Sequence, residues 1–186
     1  MKTTIAILFS VILTTTAAFG QVTILWNESV NGELSQDYST ATTLGTLQLG
    51  TNSIIGATEV ERTGNNWFEQ GDYFTFEVPS NSEITALYIG IDTPNVWTWI
   101  GDPTFYSHLA FSGGPSTGDL LPQWGLVSID FGIYGMYLVN HDHSSSLSIA
   151  NYQLDFVVEL VPEPGTLGLL LLGAGVFTLR HCCKPR

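Results

Sequence analysis

The sequence predicts an all-β protein: an antiparallel β-sandwich or jelly roll spanning residues 21–160. Three observations carry this. Apolar and polar residues alternate with period two in segment after segment. Gly, Pro, Asn or Asp separates most of those segments. No stretch from 27 to 160 shows a convincing helical stripe, although ELSQDYSTATTLG has room for one short turn.

The elements follow in chain order. Strands are expected at 21–26, 44–49 and 53–60. The segment DYFTFEV sets Phe74, Phe76 and Val78 on one face and Tyr73, Thr75 and Glu77 on the other, and it stops at the turn cluster Pro79-Ser80-Asn81. Further strands are expected at 84–91, 96–100, 105–111, 124–131 and 134–139. The last, NYQLDFVVEL, sets Tyr152, Leu154, Phe156, Val158 and Leu160 on one face and turns Gln153, Asp155 and Glu159 to water, with Val157 the exception. SGGPSTG at 112–118 is a loop inside one domain, because strands continue on both sides. There is no internal repeat.

Composition sets limits on function. Charged residues make up 12% of the 186, about half the usual share. Between 21 and 163 all 17 acidic residues face a single basic one, Arg62. So acidic a domain will not bind nucleic acid by neutralising phosphates, and anionic lipid should repel it. Cation binding or plain solubility is compatible with the charge. The only cysteines, Cys182 and Cys183, lie in the tail, so the domain relies on its core without disulfides.

Both ends read as signals. MKTTIAILFSVILTTTAAFGQ has a basic start at Lys2, an apolar run from Ile5 to Leu13, and small residues at Ala18 and Gly20 before Gln21. This is a secretory signal peptide over 1–20, with a cut after Ala18 as the alternative. At the other end VPEPGTLGLLLLGAGVFTLR begins with Val161, Pro162, Glu163 and Pro164. An apolar run follows, carried by Leu167, Leu169, Leu170, Leu171, Leu172, Val176, Phe177 and Leu179. It is shorter than the ~20 residues of an ordinary span, but insertion is feasible if the ends snorkel or the bilayer thins. Arg180, Lys184 and Arg186 come next and hold that end on the cytoplasmic side. The two prolines fix φ and extend their neighbours, which leaves a strand-like segment at the membrane face, the shape proteases require.

Residues 161–186 resemble a PEP-CTERM sorting signal: a Pro-Glu-Pro motif, a Leu/Gly-rich helix and a basic tail. The resemblance implies export by a Gram-negative bacterium that makes extracellular polysaccharide. It also implies recognition and cleavage by an exosortase, a membrane protease-transpeptidase. The family tail is usually an arginine cluster; RHCCKPR departs from it and weakens the basic anchor. A plain single-pass anchor is the simpler alternative, but it needs no such tripeptide.

The order NGELSQDYSTATTLGTLQLGTNSIIGATE, GDYFTFEVPSNSEITALYI and YQLDFVVEL resembles the pre-peptidase C-terminal domain over about residues 28–160. That resemblance implies a compact β-sandwich, often an accessory domain of secreted peptidases and sometimes a binder of calcium or matrix proteins. No peptidase accompanies it here, so only the accessory role carries over.

Candidate chemistry is sparse. Asp72 opens the DYFTF segment, either as a turn cap or as a metal ligand. Glu28, Glu33 and Asp37 could supply oxygens to calcium, the one cofactor the sequence suggests, but their spacing fits no EF-hand loop. In NHDHSSS, His141 and His143 would share a face on an extended strand and could chelate a metal. Two ligands do not make a site, and the serines suggest a loop tip. No Gly-x-Ser-x-Gly elbow supports a hydrolase triad. Trp97 and Trp99, ~7 Å apart along one strand, would form a sugar-stacking platform if exposed; packing between sheets is the default for such a pair. Tyr106 and Trp124 could extend either arrangement.

The sequence thus predicts an exported, non-catalytic surface or matrix protein with a structural or binding sandwich. A transient inner-membrane anchor precedes its arrival there. Its expected partners are the secretion machinery, an exosortase and extracellular polysaccharide, with no nucleic acid. A carbohydrate-binding module and a small secreted hydrolase are the alternatives.

Overall fold

The computed structural model describes residues 22–92, 95–112 and 118–161. The signal peptide, Pro162 to Pro164, the apolar run and the basic tail lie outside them. Among the described residues no helix is long and apolar enough to cross a membrane.

The fold is all-β. The strands are β1 (Val22–Asn27), β2 (Thr42–Thr46), β3 (Gly50–Thr63), β4 (Asn66–Val78), β5 (Ser82–Ile91), β6 (Val96–Gly101), β7 (His108–Ser112), β8 (Gly118–Asp119), β9 (Gly132–Asn140) and β10 (Leu147–Leu160). Two four-residue helices, α1 (Glu28–Asn31) and α2 (Leu120–Gln123), and a 3-10 turn at Tyr38–Thr40 interrupt them. Asn27, Asp37 and Asp119 cap these three turns by accepting backbone N–H groups.

The sheet runs β7-β6-β9-β4-β3-β10-β5-β8, with β1 alongside β3 and β2 alongside β4. Pairing is antiparallel except for β1 with β3 and β2 with β4. The sheet curls into two layers, consistent with a β-sandwich. β4 makes the fold: its first residues, Asn66 to Gln70, pair with β3, and Gly71 to Val78 pair with β9. One strand therefore serves both layers.

Period-two alternation sets the core. Phe74, Phe76 and Val78 of β4 are buried, as are Tyr152, Leu154, Phe156 and Val158 of β10. Phe76 and Phe156 meet across the layers with ring centroids 4.9 Å apart. Met136, Leu138, Val96 and Ile100 extend one side, and Ile54, Ile84, Leu87 and Ile89 the other. Leu160, expected on the inner face, is exposed because it lies at the end of its strand.

One expected strand is absent. Residues 124–131 form a connector after α2, and only Ile129 pairs, with Ile84. Val127 and Phe131 stand 91% and 66% exposed, so their alternation with Ile129 is not strand burial. The expected strand 105–111 begins at His108, because Asp102 ties residues 102–107 into a tight loop.

Candidate functional site

The odd-numbered residues of β4 point away from the core, and the pairing of β6, β9 and β4 aligns them with their neighbours in rows. Trp99 pairs with Tyr137, and Tyr137 with Tyr73. One row down, Gly101 pairs with Gly135, and Gly135 with Thr75. One row up, Trp97 pairs with Val139, and Val139 with Gly71.

Trp97 and Trp99 are therefore half-exposed on the outer face, not packed between the sheets; Val96, Thr98 and Ile100 are the buried residues of β6. The expected flat platform is not formed either. The two indoles meet at 62°, centroids 5.9 Å apart. The stacking instead runs across the strands. Trp99 stacks on Tyr137 at 4.7 Å, Tyr137 on Tyr73 at 4.3 Å, and Phe105 meets Tyr73 edge-on at 5.4 Å. Such pairs add about 0.5–1.5 kcal/mol each beyond their buried area. Burial, and next Tyr73, hold the Tyr137 phenol above its ordinary pKa.

Glycines let these rings lie flat. A Cβ at Gly71 would stand 2.2 Å from the Tyr137 ring, and one at Gly135 would stand 3.0 Å from the Phe105 ring. Phe105 itself has φ +62°, a conformation a side chain rarely takes. Asp102 holds that loop: its carboxylate accepts from Thr104 N–H at 2.8 Å, Ser107 N–H at 2.5 Å and the Thr104 hydroxyl. These bonds, the Thr104 hydroxyl first, keep its pKa below the ordinary value.

Together Trp99, Tyr137, Tyr73, Tyr38, Phe105, Tyr106 and His108 surround a cleft of about 370 Å³, with Asp102 and Thr104 at its edge. Small-ligand sites of this kind are apolar hollows with a few polar groups. Tyr106 is 83% exposed and belongs to this rim. Trp124 does not: it packs against the hydrophobic core at the end of α2.

His141 and His143 do come together, though on the loop after β9 rather than along a strand. Their rings lie 4.4 Å apart. Between them stands Glu69 of β4, whose Oε1 is 2.5 Å from His141 Nδ1 and 2.8 Å from His143 Nε2. The three border the cleft's face of the sheet but do not line the cleft. Asp142 is turned into its own loop, accepting from Ser144 N–H and the Ser148 hydroxyl.

Asp72, expected as a turn cap or a metal ligand, does not stand at a turn. β4 begins six residues before it, so Asp72 is an inward residue in mid-strand, 3% exposed. It accepts a hydrogen bond from the Tyr152 hydroxyl at 2.7 Å and is absent from the Glu69–His141–His143 cluster. Burial first, then Glu28 and Glu33, raise its pKa from 3.8 to about 8 against the bond from Tyr152. The other acidic candidates also have local roles. Glu28 accepts from Leu34 N–H and Ala57 N–H, and Asp37 from Ser39 N–H.

No protein-family model matches the chain, and no curated protein does. Among solved structures the chain is similar to the pre-peptidase C-terminal domain of a collagenase from Bacillus anthracis, at 13% identity and a TM-score of 0.39, over 63% of this chain and 93% of that one. It is also similar to Salmonella Typhimurium PliG, a periplasmic lysozyme inhibitor of g-type lysozyme, at 9% identity and a TM-score of 0.36, over 64% of this chain and all of that one.

Proposed function

We propose that this is an exported, non-catalytic surface or matrix protein whose outer sheet face binds a neutral polysaccharide by ring stacking. One observation carries the binding reading: the row Trp99–Tyr137–Tyr73, walled by Phe105 and Tyr106, opens as a cleft of about 370 Å³. The apolar faces of pyranose rings stack on such aromatic surfaces, and hydroxyls can meet Asp102, Thr104 and His108. The acidity of the domain favours a neutral sugar over phosphate-bearing or acidic ligands.

Trp99→Ala is expected to weaken binding of neutral oligosaccharides by about 2 kcal/mol, roughly 30-fold, the scale of a central aromatic anchor. Calorimetric titration of the full chain against a panel of neutral glucans, mannans and galactans measures it. Equal affinity in the wild type, Trp99→Ala and Tyr137→Ala would remove the reading.

We further propose that the two ends direct the protein to its place. Residues 1–20 would export it. Pro162-Glu163-Pro164 and the apolar run to Leu179 would anchor it briefly in the inner membrane for an exosortase-type protease. The resemblance of VPEPGTLGLLLLGAGVFTLR to the sorting signal supports this. The native surface protein is expected to have an intact mass ending near Pro162 to Pro164, with or without an added group. A mass that retains residues 167–186 would end the processing claim.

A further inference from the structure

We propose that Glu69, His141 and His143 form a binding site for a divalent transition-metal ion of the imidazole-preferring class, with Zn2+ the representative. Nδ1 of His141, Nε2 of His143 and a carboxylate oxygen of Glu69 all lie within 4.8 Å of one another. Two imidazoles and one carboxylate are a zinc donor set, and three protein ligands leave a coordination position open for water. Calcium, which takes six to eight oxygens, does not suit them.

A simple ion pair explains the arrangement less well. Both imidazoles approach the same oxygen, Oε1, at 2.5 and 2.8 Å. His141 Nδ1 is shut off from solvent, yet the short approach to Glu69 is not aligned as a hydrogen bond, and the nitrogen has no other partner. His143 Nε2 shares a hydrogen bond with Oε1, so that oxygen is already engaged and His141 Nδ1 is left crowded against it without a partner of its own; a shared cation would satisfy all three atoms. In a tetrahedral zinc site the edges between ligand atoms are about 3.3 Å, from metal–ligand distances of about 2.0–2.1 Å. A rotation of the Glu69 side chain, which is 30% exposed, would open the contacts to that length.

The surroundings hold the ligands in place. Trp67 stacks on His143 at 4.5 Å and 10°, and Trp97 packs on His141 at 4.1 Å. The His141 backbone N–H donates to Asn95 O at 2.8 Å, and the Asn95 side chain donates to His141 O at 2.7 Å. Asp142 braces the turn between the two histidines. Rings fixed before the ion arrives lose little freedom on binding it.

The two packed indoles supply the readout. Ni2+ at the site would quench Trp67 and Trp97, and Zn2+ would compete with it. His181, Cys182 and Cys183 are potential ligands elsewhere in the chain. The full chain is therefore tested with His181→Ala, Cys182→Ser and Cys183→Ser in place. Saturable quenching by Ni2+ is expected, with calorimetry giving one Zn2+ per chain. His141→Ala, His143→Ala and Glu69→Gln should each weaken Zn2+ at least 10–100-fold, the loss typical of even an outer-shell partner. Glu159→Gln, an exposed position on β10 outside the cluster, should leave affinity unchanged. Circular dichroism checks that each variant is folded, and the conservative Glu69→Gln decides if a histidine variant is not. The site is refuted if quenching does not saturate, if Glu69→Gln binds Zn2+ as the parent does, or if Glu159→Gln loses as much as Glu69→Gln.

Discussion

The protein is expected to lose stability as pH rises from 5 to 9, and Asp72→Asn to abolish most of that loss. An acidic protein usually gains stability as its paired carboxylates ionise; Asp72 runs the other way. It is 3% exposed, and its pKa is raised from 3.8 to about 8 by burial and by Glu28 and Glu33. Below pH 4 the carboxyl is protonated in the folded and unfolded chain alike, and its full contribution is present. Between pH 4 and 8 the unfolded chain releases the proton and the folded chain keeps it. Stability then falls by about 1.4 kcal/mol per pH unit and levels off above about 8. The whole effect is on the order of 6 kcal/mol at most, comparable with the stability of an ordinary domain.

Glu28, also raised chiefly by burial, adds in the same direction. Asp37, Asp102 and Asp142 are lowered by hydrogen bonds within their turns and act oppositely, but their contribution is lost only as pH falls through the acid range. The stability maximum should therefore lie near pH 4–5. In Asp72→Asn the amide oxygen can still accept from the Tyr152 hydroxyl, and no proton is released. Urea unfolding at pH 5, 7 and 9 measures both chains. A wild-type curve that rises from 5 to 8, or equal slopes in the two chains, would refute the assignment.

Asp72 also marks where the sequence stops being legible. DYFTFEV shows the alternation that buries Phe74, Phe76 and Val78, because burial on one face writes a period of two into the chain. Asp72 belongs to the same inward phase, but the alternation is clear only from there on, so the residue looks like a strand start when the strand begins at Asn66. The opposite phase, Trp67, Glu69, Gly71 and Tyr73, reads as a solvent face and became visible as a site only through register. Tyr137 and Trp99 sit beside Tyr73 because β9 and β6 pair as they do. Pairing partners so far apart in sequence are not encoded by local pattern. For the same reason His141 and His143 could be paired by spacing, whereas Glu69 could not. In 124–131 the pattern misleads in the opposite way: Trp124, Leu126 and Ile129 are apolar because they pack under a connector, not because they alternate in a ladder, while Val127 and Phe131 stay exposed.

Gly101→Ala should both destabilise the fold and abolish ligand binding, which links the sheet's edge to the cleft. Gly101 is the last residue of β6, at a shift of register between β6 and β7. A Cβ there would stand 2.0 Å from Ser107 O and 3.0 Å from His108 Cα. These are backbone atoms, which cannot rotate away as a side-chain tip can. To admit the methyl group, the 102–107 loop must lift from the sheet. Lifting it stretches the Asp102 N–H bond to Ser107 O, now 3.0 Å, and the Asp102 carboxylate bond to Ser107 N–H. Phe105 then leaves its seat over Gly135, and the cleft loses the wall opposite Trp99. The cost should reach the upper end of ordinary overpacking, about 3 kcal/mol. Gly90 is the control: a Cβ there meets nothing within 4 Å, and the residue is exposed on β5, so Gly90→Ala should stay within about 0.5 kcal/mol of the parent. Urea unfolding gives the stability change, and titration with the best-binding oligosaccharide gives the affinity. If Gly101→Ala is as stable as Gly90→Ala, the loop is not seated on the sheet as described. If it is destabilised yet binds with the parent's affinity, the ligand does not use the wall that Phe105 and Tyr106 provide.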